Sequence, residues 1–225
     1  MLKDGVRIIH KKGLGYTADD RGRVRRFKPW LGDSFSFLYD FIMKRSVFPR
    51  KFGADMGRHS EILARELKDV HGEPVLELAT GSGSAVSFLP NDNQYAGTDV
   101  SPGLLRRAAK NFRAAGFEGA EFYVASAEDL PFADRTFSTC LCILSLNFFP
   151  DAGKVFQEVK RVLLPGGVFI VSVPVPERNR LKRTIHGTLH SEEELGRMSA
   201  ENGFKFETVP AENGVLLYFK ATSNP

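Results

Sequence analysis

Cysteine is scarce in this chain of 225 residues, which holds two, Cys140 and Cys142. They lie in an apolar run that reads as a strand, where i, i+2 spacing sends both side chains to one face, a geometry for packing and not for bridging. No cluster of Cys and His accompanies them, so no metal centre is expected. Long apolar runs are missing too. The longest, VLLPGGVFIVSVPVP at 162–176, is interrupted by Pro165, Gly166 and Gly167, which excludes a membrane-spanning helix. The opening MLKDGVRIIHKKG is too charged for the apolar region of a signal peptide. Neither an internal repeat nor a low-complexity tract is visible, so the chain reads as a series of alternating elements. These absences point to a cytoplasmic enzyme or binding protein.

The composition, 42% hydrophobic and 26% charged, suits one sizeable core with a short appended segment. The net charge of +4 is uneven: residues 1–60 hold 14 Lys/Arg against 6 Asp/Glu. The stretch RGRVRRFKPW at 21–30 places Arg21, Arg23, Arg25, Arg26 and Lys28 near Trp30, a pattern able to meet RNA phosphates and stack a base. A solvated terminus has the same composition, and that is the weightier reading.

A short hairpin is expected within RIIHKKGLGYTADDRGRVRRF. The apolar period of DSFSFLYDFIMKR predicts a helix capped by Asp33 or Ser34, and SEILARELKDV predicts another starting at Ser60. From Pro74 the rhythm changes to strands at 75–79, 95–99, 121–125, 137–143 and 167–174, alternating with helices at 83–89, 102–115, 151–163 and 191–202. Strands at 204–209 and 214–221 close the series. Strand–helix–strand order implies a parallel, doubly covered α/β sheet. The four residues PAEN are too few for a crossover, so the last strand should run antiparallel.

In such a sheet ligands bind beyond the carboxyl ends of the strands. VLELATGSGS at 75–84 runs from the first of these strands into a turn whose Gly81 and Gly83 can adopt positive φ and bare backbone N–H groups to a ligand. Val86 stands where a dinucleotide fingerprint wants a third glycine. Glu77 is a carboxylate in a strand expected to be buried, costly unless it answers donors or a cation. Asp99 closes the next strand, where an acid can accept both hydroxyls of a ribose, while Ser101 with Pro102 reads as a helix start.

Together VLELATGSGS, YAGTDVSPGLLRRAAKNF, AEDLPFADRTFS and RVLLPGGVFIVSVP, in this order and at these intervals, resemble the class I S-adenosylmethionine-dependent methyltransferases of the small-molecule type, over residues 58–222. The resemblance implies a Rossmann-like, seven-stranded, mostly parallel sheet with an antiparallel last strand and helices on both faces. It divides the chain into a basic arm with a helical cap at 1–57 and a cofactor-binding domain at 58–225. It implies that Glu77 and the backbone around Ala79, Gly81 and Gly83 hold the methionine portion of the cofactor, that Asp99 takes the ribose hydroxyls, and that Val100 packs on adenine. Ser126 stands where the family often has an acid for the adenine amino group, Ala127 would offer its N–H to the ring, and the carbonyls near Cys142 and Ile143 would face the cofactor's amino group. Three positions depart from the pattern: Ala79 for a glycine, Ser126 for the acid, and Ser138 for an aspartate. Alanine at 79 is comfortable if its φ is negative.

Methyl transfer from a sulfonium is an in-line displacement needing alignment more than a base. Candidates around the acceptor are Tyr39, His59, Asn147, Phe148, Phe149, His186 and His190, although core or surface roles are the more ordinary fate of each. Ser191 and Glu194 form a capping box that would leave His190 in a loop. Arg178, Arg180, Lys182 and Arg183 lie where the family builds a lid, and would draw in a carboxylate or phosphate, or simply be solvated. The leading expectation is an enzyme methylating a small molecule. An RNA methyltransferase using the basic arm, and a cofactor-binding module without catalysis, are the alternatives.

Overall fold

The computed structural model describes residues 1–27 and 43–224. Its single mixed sheet has nine strands in the order β1-β2-β5-β4-β3-β6-β7-β9-β8. The inner strands are β3 (Pro74–Leu78), β4 (Gln94–Asp99), β5 (Glu121–Val124), β6 (Phe137–Ile143) and β7 (Leu163–Pro174), all mutually parallel. At the far end β9 (Leu216–Ser223) lies between β7 and β8 (Phe204–Thr208), antiparallel to both, as the short PAEN connection requires.

Seven of these strands are those the resemblance implied, and the sheet's other two correct that number. They are the N-terminal hairpin of β1 (Ile8–Lys11) and β2 (Leu14–Thr17), whose β2 joins the free edge of β5 in parallel. Lys12 and Gly13 both have positive φ, 52° and 76°, the backbone a two-residue turn needs to match the strand twist. The arm thus contributes to the sheet instead of standing apart as a charged terminus.

Two hydrophobic cores lie on the two faces, because alternate strand residues point to opposite sides. Leu76, Leu78, Cys140 and Cys142 face one core, filled by α3 (Ala152–Val162) and α4 (Glu192–Glu201). Val75, Leu141 and Ile143 face the other, filled by α1 (Met56–Leu67) and α2 (Pro102–Ala114). The cysteines are free and buried in the same core, as their spacing indicated.

Most helix starts follow their caps. Ser101 Oγ accepts from the N–H of Leu104 with Pro102 opening α2, and the Ser191–Glu194 capping box closes in both directions at α4. Two expectations fail. The helix read from Ser60 begins a turn earlier: Asp55 is its cap, Oδ1 accepting from Arg58 N at 2.7 Å, and Ser60 is interior. The helix expected at 83–89 shrinks to a single 3₁₀ turn, Ser84–Ser87, because Pro90 follows too soon for a second turn. The helix expected over DSFSFLYDFIMKR, with Tyr39, falls mostly outside the described residues, as do Lys28 and Trp30. Its last residues belong to a π-helical segment, Met43–Phe52.

Candidate active site

The glycine turn leaves β3 and is locked from both neighbours. Gly81 donates its N–H to Asp99 Oδ2 at 2.9 Å, Asp99 Oδ1 accepts from Ser101 N at 2.8 Å, and Asn111 of α2 donates to the carbonyl of Ser82 at 2.9 Å. Gly81 and Gly83 have φ of 58° and 85°. At Gly83 no side chain fits, since a Cβ would approach Ala108 Cα and Phe112 Cε2 to 3.0 Å.

Ala79 also sits in the left-handed region, at φ 49°. The condition under which alanine would be comfortable is therefore not met. The turn takes the conformation of the glycine it lacks and carries the strain, about 1–2 kcal/mol for an L-residue.

Glu77 is 2% exposed and pairs in register with Gly97 of β4. The absent side chain at 97 leaves room for a polar knot. Tyr95 Oη donates to Glu77 Oε2, and Thr80 Oγ1 lies 3.1 Å from Tyr95 Oη. A Cβ at 97 would come within 2.6 Å of Thr80 Oγ1. Burial pushes the Glu77 carboxyl up to about 8, with the nearby Asp99 charge adding to the shift, while the hydrogen bonds from Tyr95 and Thr80 oppose it. Glu77 therefore holds a proton at neutral pH unless a cation arrives to stabilise its charge. An amino-acid ammonium is such a cation, so Glu77 fits the methionine end of S-adenosylmethionine, with the glycine turn beside it on the same cavity.

Above the turn lies a cavity of about 290 Å³, with Glu77, Ala79, Gly81 and Gly83 on its floor and Ile143 and Leu144 on one side. Met43 and Phe48 of the π-helical segment and Met56 and His59 of α1 line it too and form its apolar wall. His59 is 4% exposed, packed edge-on against Phe48 and hydrogen-bonded through Nδ1 to Tyr218 Oη at 2.8 Å. Burial lowers its imidazole to about 4, so the ring is neutral at physiological pH.

Val100, Ser126, Ala127 and Cys142 are not among the residues that line this cavity. Val100 is 38% exposed and borders a separate groove with Tyr16, Phe27 and several cations of the arm. Ser126 Oγ accepts from Glu128 N at 3.3 Å, and Ala127 is buried beside it at the end of β5. Cys142 is fully buried in the opposite core, its thiol pushed up to about 12 by burial, and it is Ile143 and Leu144 that reach the cavity wall.

Asn147 holds the loop at 186–188, donating to His186 O at 2.7 Å and accepting from Thr188 N at 2.8 Å, while Phe148 is 52% exposed and Phe149 packs on the core. Arg178 donates to the carbonyls of Leu216 and Ala211, and Arg183 to those of Pro49 and Arg50, so both spend hydrogen bonds on the fold. Arg180 and Lys182 are exposed, as is His186, and His190 is half-buried in the loop before α4.

Sequence reasoning missed Tyr95, Thr80, Tyr218 and Asn213. Tyr95 was within reach, since the i, i+2, i+4 series Tyr95, Gly97, Asp99 shares one strand face.

The model of a family described as a methyltransferase domain matches residues 76–171. The chain is 34% identical over 105 residues to a fatty-acid O-methyltransferase of Mycolicibacterium smegmatis, covering 45% of this chain and 37% of that protein. It is 41% identical over 138 residues to a ubiquinone/menaquinone biosynthesis C-methyltransferase of Desulfotalea psychrophila, covering 60% and 53%. It thus spans about half or less of the length of these curated relatives. A S-adenosylmethionine-dependent methyltransferase from Aquifex aeolicus has the same fold, with a TM-score of 0.62 at 17% identity over 83% of this chain and 96% of that one. The glycine turn, Glu77 and Asp99 fall inside the matched span, and residues 76–171 are a class I methyltransferase domain, whose cofactor is S-adenosylmethionine.

Proposed function

We propose that the protein transfers a methyl group from S-adenosylmethionine to a small-molecule acceptor with apolar character. The observation that carries this reading is the joining of two environments in one cavity: the polar floor of Glu77, Gly81 and Gly83, and the apolar wall of Met43, Phe48 and Met56. When bound, the cofactor supplies an electrophilic methyl on a positively charged sulfur. Glu77, ionised, would face the cofactor's ammonium, the glycine turn would hold its carboxylate, and Asp99 at the end of β4 would take the ribose hydroxyls. Val100, Ser126 and Ala127 would hold the adenine. The apolar wall excludes water and aligns the acceptor for in-line attack. The partial matches to a fatty-acid O-methyltransferase and a quinone C-methyltransferase support acceptors of this greasy kind.

Titration calorimetry with S-adenosylmethionine tests the cofactor assignment, and absence of binding refutes it. Labelled cofactor incubated with fractionated metabolites tests transfer. A bound cofactor that labels no fraction would instead support a binding module without catalysis.

One observation favours RNA as a second reading. Lys11, Lys12, Arg25, Arg26 and Arg106 ring the groove at Val100, with the half-buried Phe27 beside them for stacking. Filter binding over a salt series tests it: RNA affinity must fall steeply with salt and vanish when the five cations are replaced.

A further inference from the structure

The proton on His59 can be located from its neighbours. Asn213 Oδ1 accepts from the backbone N–H of Asp55 at 2.8 Å, and Asn213 Nδ2 donates to the carbonyl of Asp55 at 2.9 Å. A backbone N–H can only donate and a carbonyl can only accept, so the amide orientation is fixed. The same Nδ2 donates to Tyr218 Oη at 3.0 Å, which makes the phenol oxygen an acceptor on that side. Tyr218 is 1% exposed, and among the described residues the one recipient for its proton is His59 Nδ1 at 2.8 Å. The opposite arrangement, Nδ1–H donating to the phenol, would strand a buried hydroxyl proton, a costly state. The imidazole therefore carries its proton on Nε2.

Nε2 has no partner among the described residues, and His59 lines the cavity above the glycine turn. The ring is neutral because burial disfavours its charged form. With Nδ1 engaged by Tyr218 and Nε2 already protonated, His59 presents a hydrogen-bond donor to the cavity and has no lone pair with which to take a proton. Glu77, the other ionisable group among the described residues of the cavity, is committed to the cofactor's ammonium in the reading above. An alcohol, which must lose a proton on methylation, finds no free base among the described residues that line the cavity. A carboxylate needs none.

We propose that the acceptor is a carboxylic acid with an apolar tail, bound as its carboxylate with one oxygen on His59 Nε2–H and its tail along Met43, Phe48 and Met56. The proposal rests on the methyltransferase reading. An oxygen lone pair forms the new O–CH₃ bond as the C–S bond breaks, and the bonding pair stays on sulfur. The negative carboxylate and the positive sulfonium become a neutral methyl ester and a neutral thioether, and no proton moves. His59 is thus a positioning and specificity residue for the acceptor, oriented by Tyr218 and Asn213.

The test uses the full chain with S-adenosylmethionine and three probes of equal tail length: decanoic acid, decan-1-ol and decylamine. Methyl decanoate should form with a kcat/KM at least about tenfold above that for either other product. His59→Leu should lower kcat/KM for the acid by about tenfold or more, mainly through KM. His59→Gln, whose amide can offer a donor near the position of Nε2, should recover most of that loss. Long-range ¹⁵N–¹H correlation spectra of the unsubstituted protein should report the Nε2–H tautomer, a readout indifferent to how the variants fold. The Nδ1–H tautomer, preference for the alcohol or amine, or a Gln variant no better than Leu would each overturn the proposal. Calorimetry separates the two levels: cofactor binding without acid methylation sinks this inference alone, whereas no cofactor binding sinks the reading beneath it as well.

Discussion

The carboxylate of Asp99 holds the backbone N–H of Gly81 at 2.9 Å, so the end of β4 fixes the turn that leaves β3. One acid thereby shapes the floor of the cavity, and its second oxygen secures Ser101 at the start of α2. Asp99→Ala should leave both N–H groups without this partner and cost about 1–3 kcal/mol in urea unfolding. Cofactor affinity measured by calorimetry should fall by about tenfold or more. Asp99→Asn, which keeps one acceptor oxygen, should fall between.

Ala79 bears left-handed strain that glycine would not. Ala79→Gly should raise stability by up to about 1 kcal/mol, since relief of strain slightly exceeds the added freedom of the unfolded chain. Ala79→Val should destabilise by more than about 1 kcal/mol, because a β-branched residue tolerates positive φ least. Chemical denaturation of the three proteins orders them.

Gly83 supports a similar test with a different cause. Its φ is 85° and a Cβ would press on the α2 backbone at Ala108. Gly83→Ala should cost about 1–3 kcal/mol and displace the turn, reducing cofactor affinity alongside the melting temperature.

Stability should also depend on pH in a way that separates Glu77 from His59. Glu77 ionises near 4.5 when unfolded and at about 8 when folded, so the folded state binds the extra proton between those values. Its contribution is complete below 4.5 and declines as pH rises to about 8. For His59, lowered from 6.5 to about 4, the contribution is complete above 6.5 and is lost as pH falls to about 4. Between 6.5 and 8 His59 is silent and two groups lose stabilisation together: Glu77, by at most about 2 kcal/mol, and His71, whose imidazole the Asp92 carboxylate raises above its ordinary value. Glu77→Gln should remove the Glu77 share of that decline and leave the His71 share, which Asp92→Asn should remove in turn. In the same window cofactor binding should release a proton, visible as a dependence of binding heat on the buffer's ionisation enthalpy.

The sheet and the turn were legible because their signals are local: alternating apolar runs, glycines between them, and caps at Ser101 and Ser191. The wall facing the turn was not. His59 read as a surface residue because the helix was started at Ser60. Asp55 is followed by Met56 and Gly57, a poor helix former in the first turn, and so did not stand out as a cap. Starting at Asp55 puts His59, Ile62 and Leu63 on one buried face. The partner that orients His59 lies 159 residues away, and no periodicity announces such a pairing. The reverse error occurred at Ala79, where residue type was legible and φ was not.

The order in which the strands are laid down differs from their order across the sheet. β9 follows β8 in the chain and yet lies inward of it, between β8 and β7. Just before β9, Val215 donates to Phe52 O and Asn213 clasps Asp55, so the wall of the cavity leans on this late segment. Cutting the tie at 213–215 would leave the glycine turn held by Asp99 and Asn111 but would take away the support of the side of the cavity that carries His59.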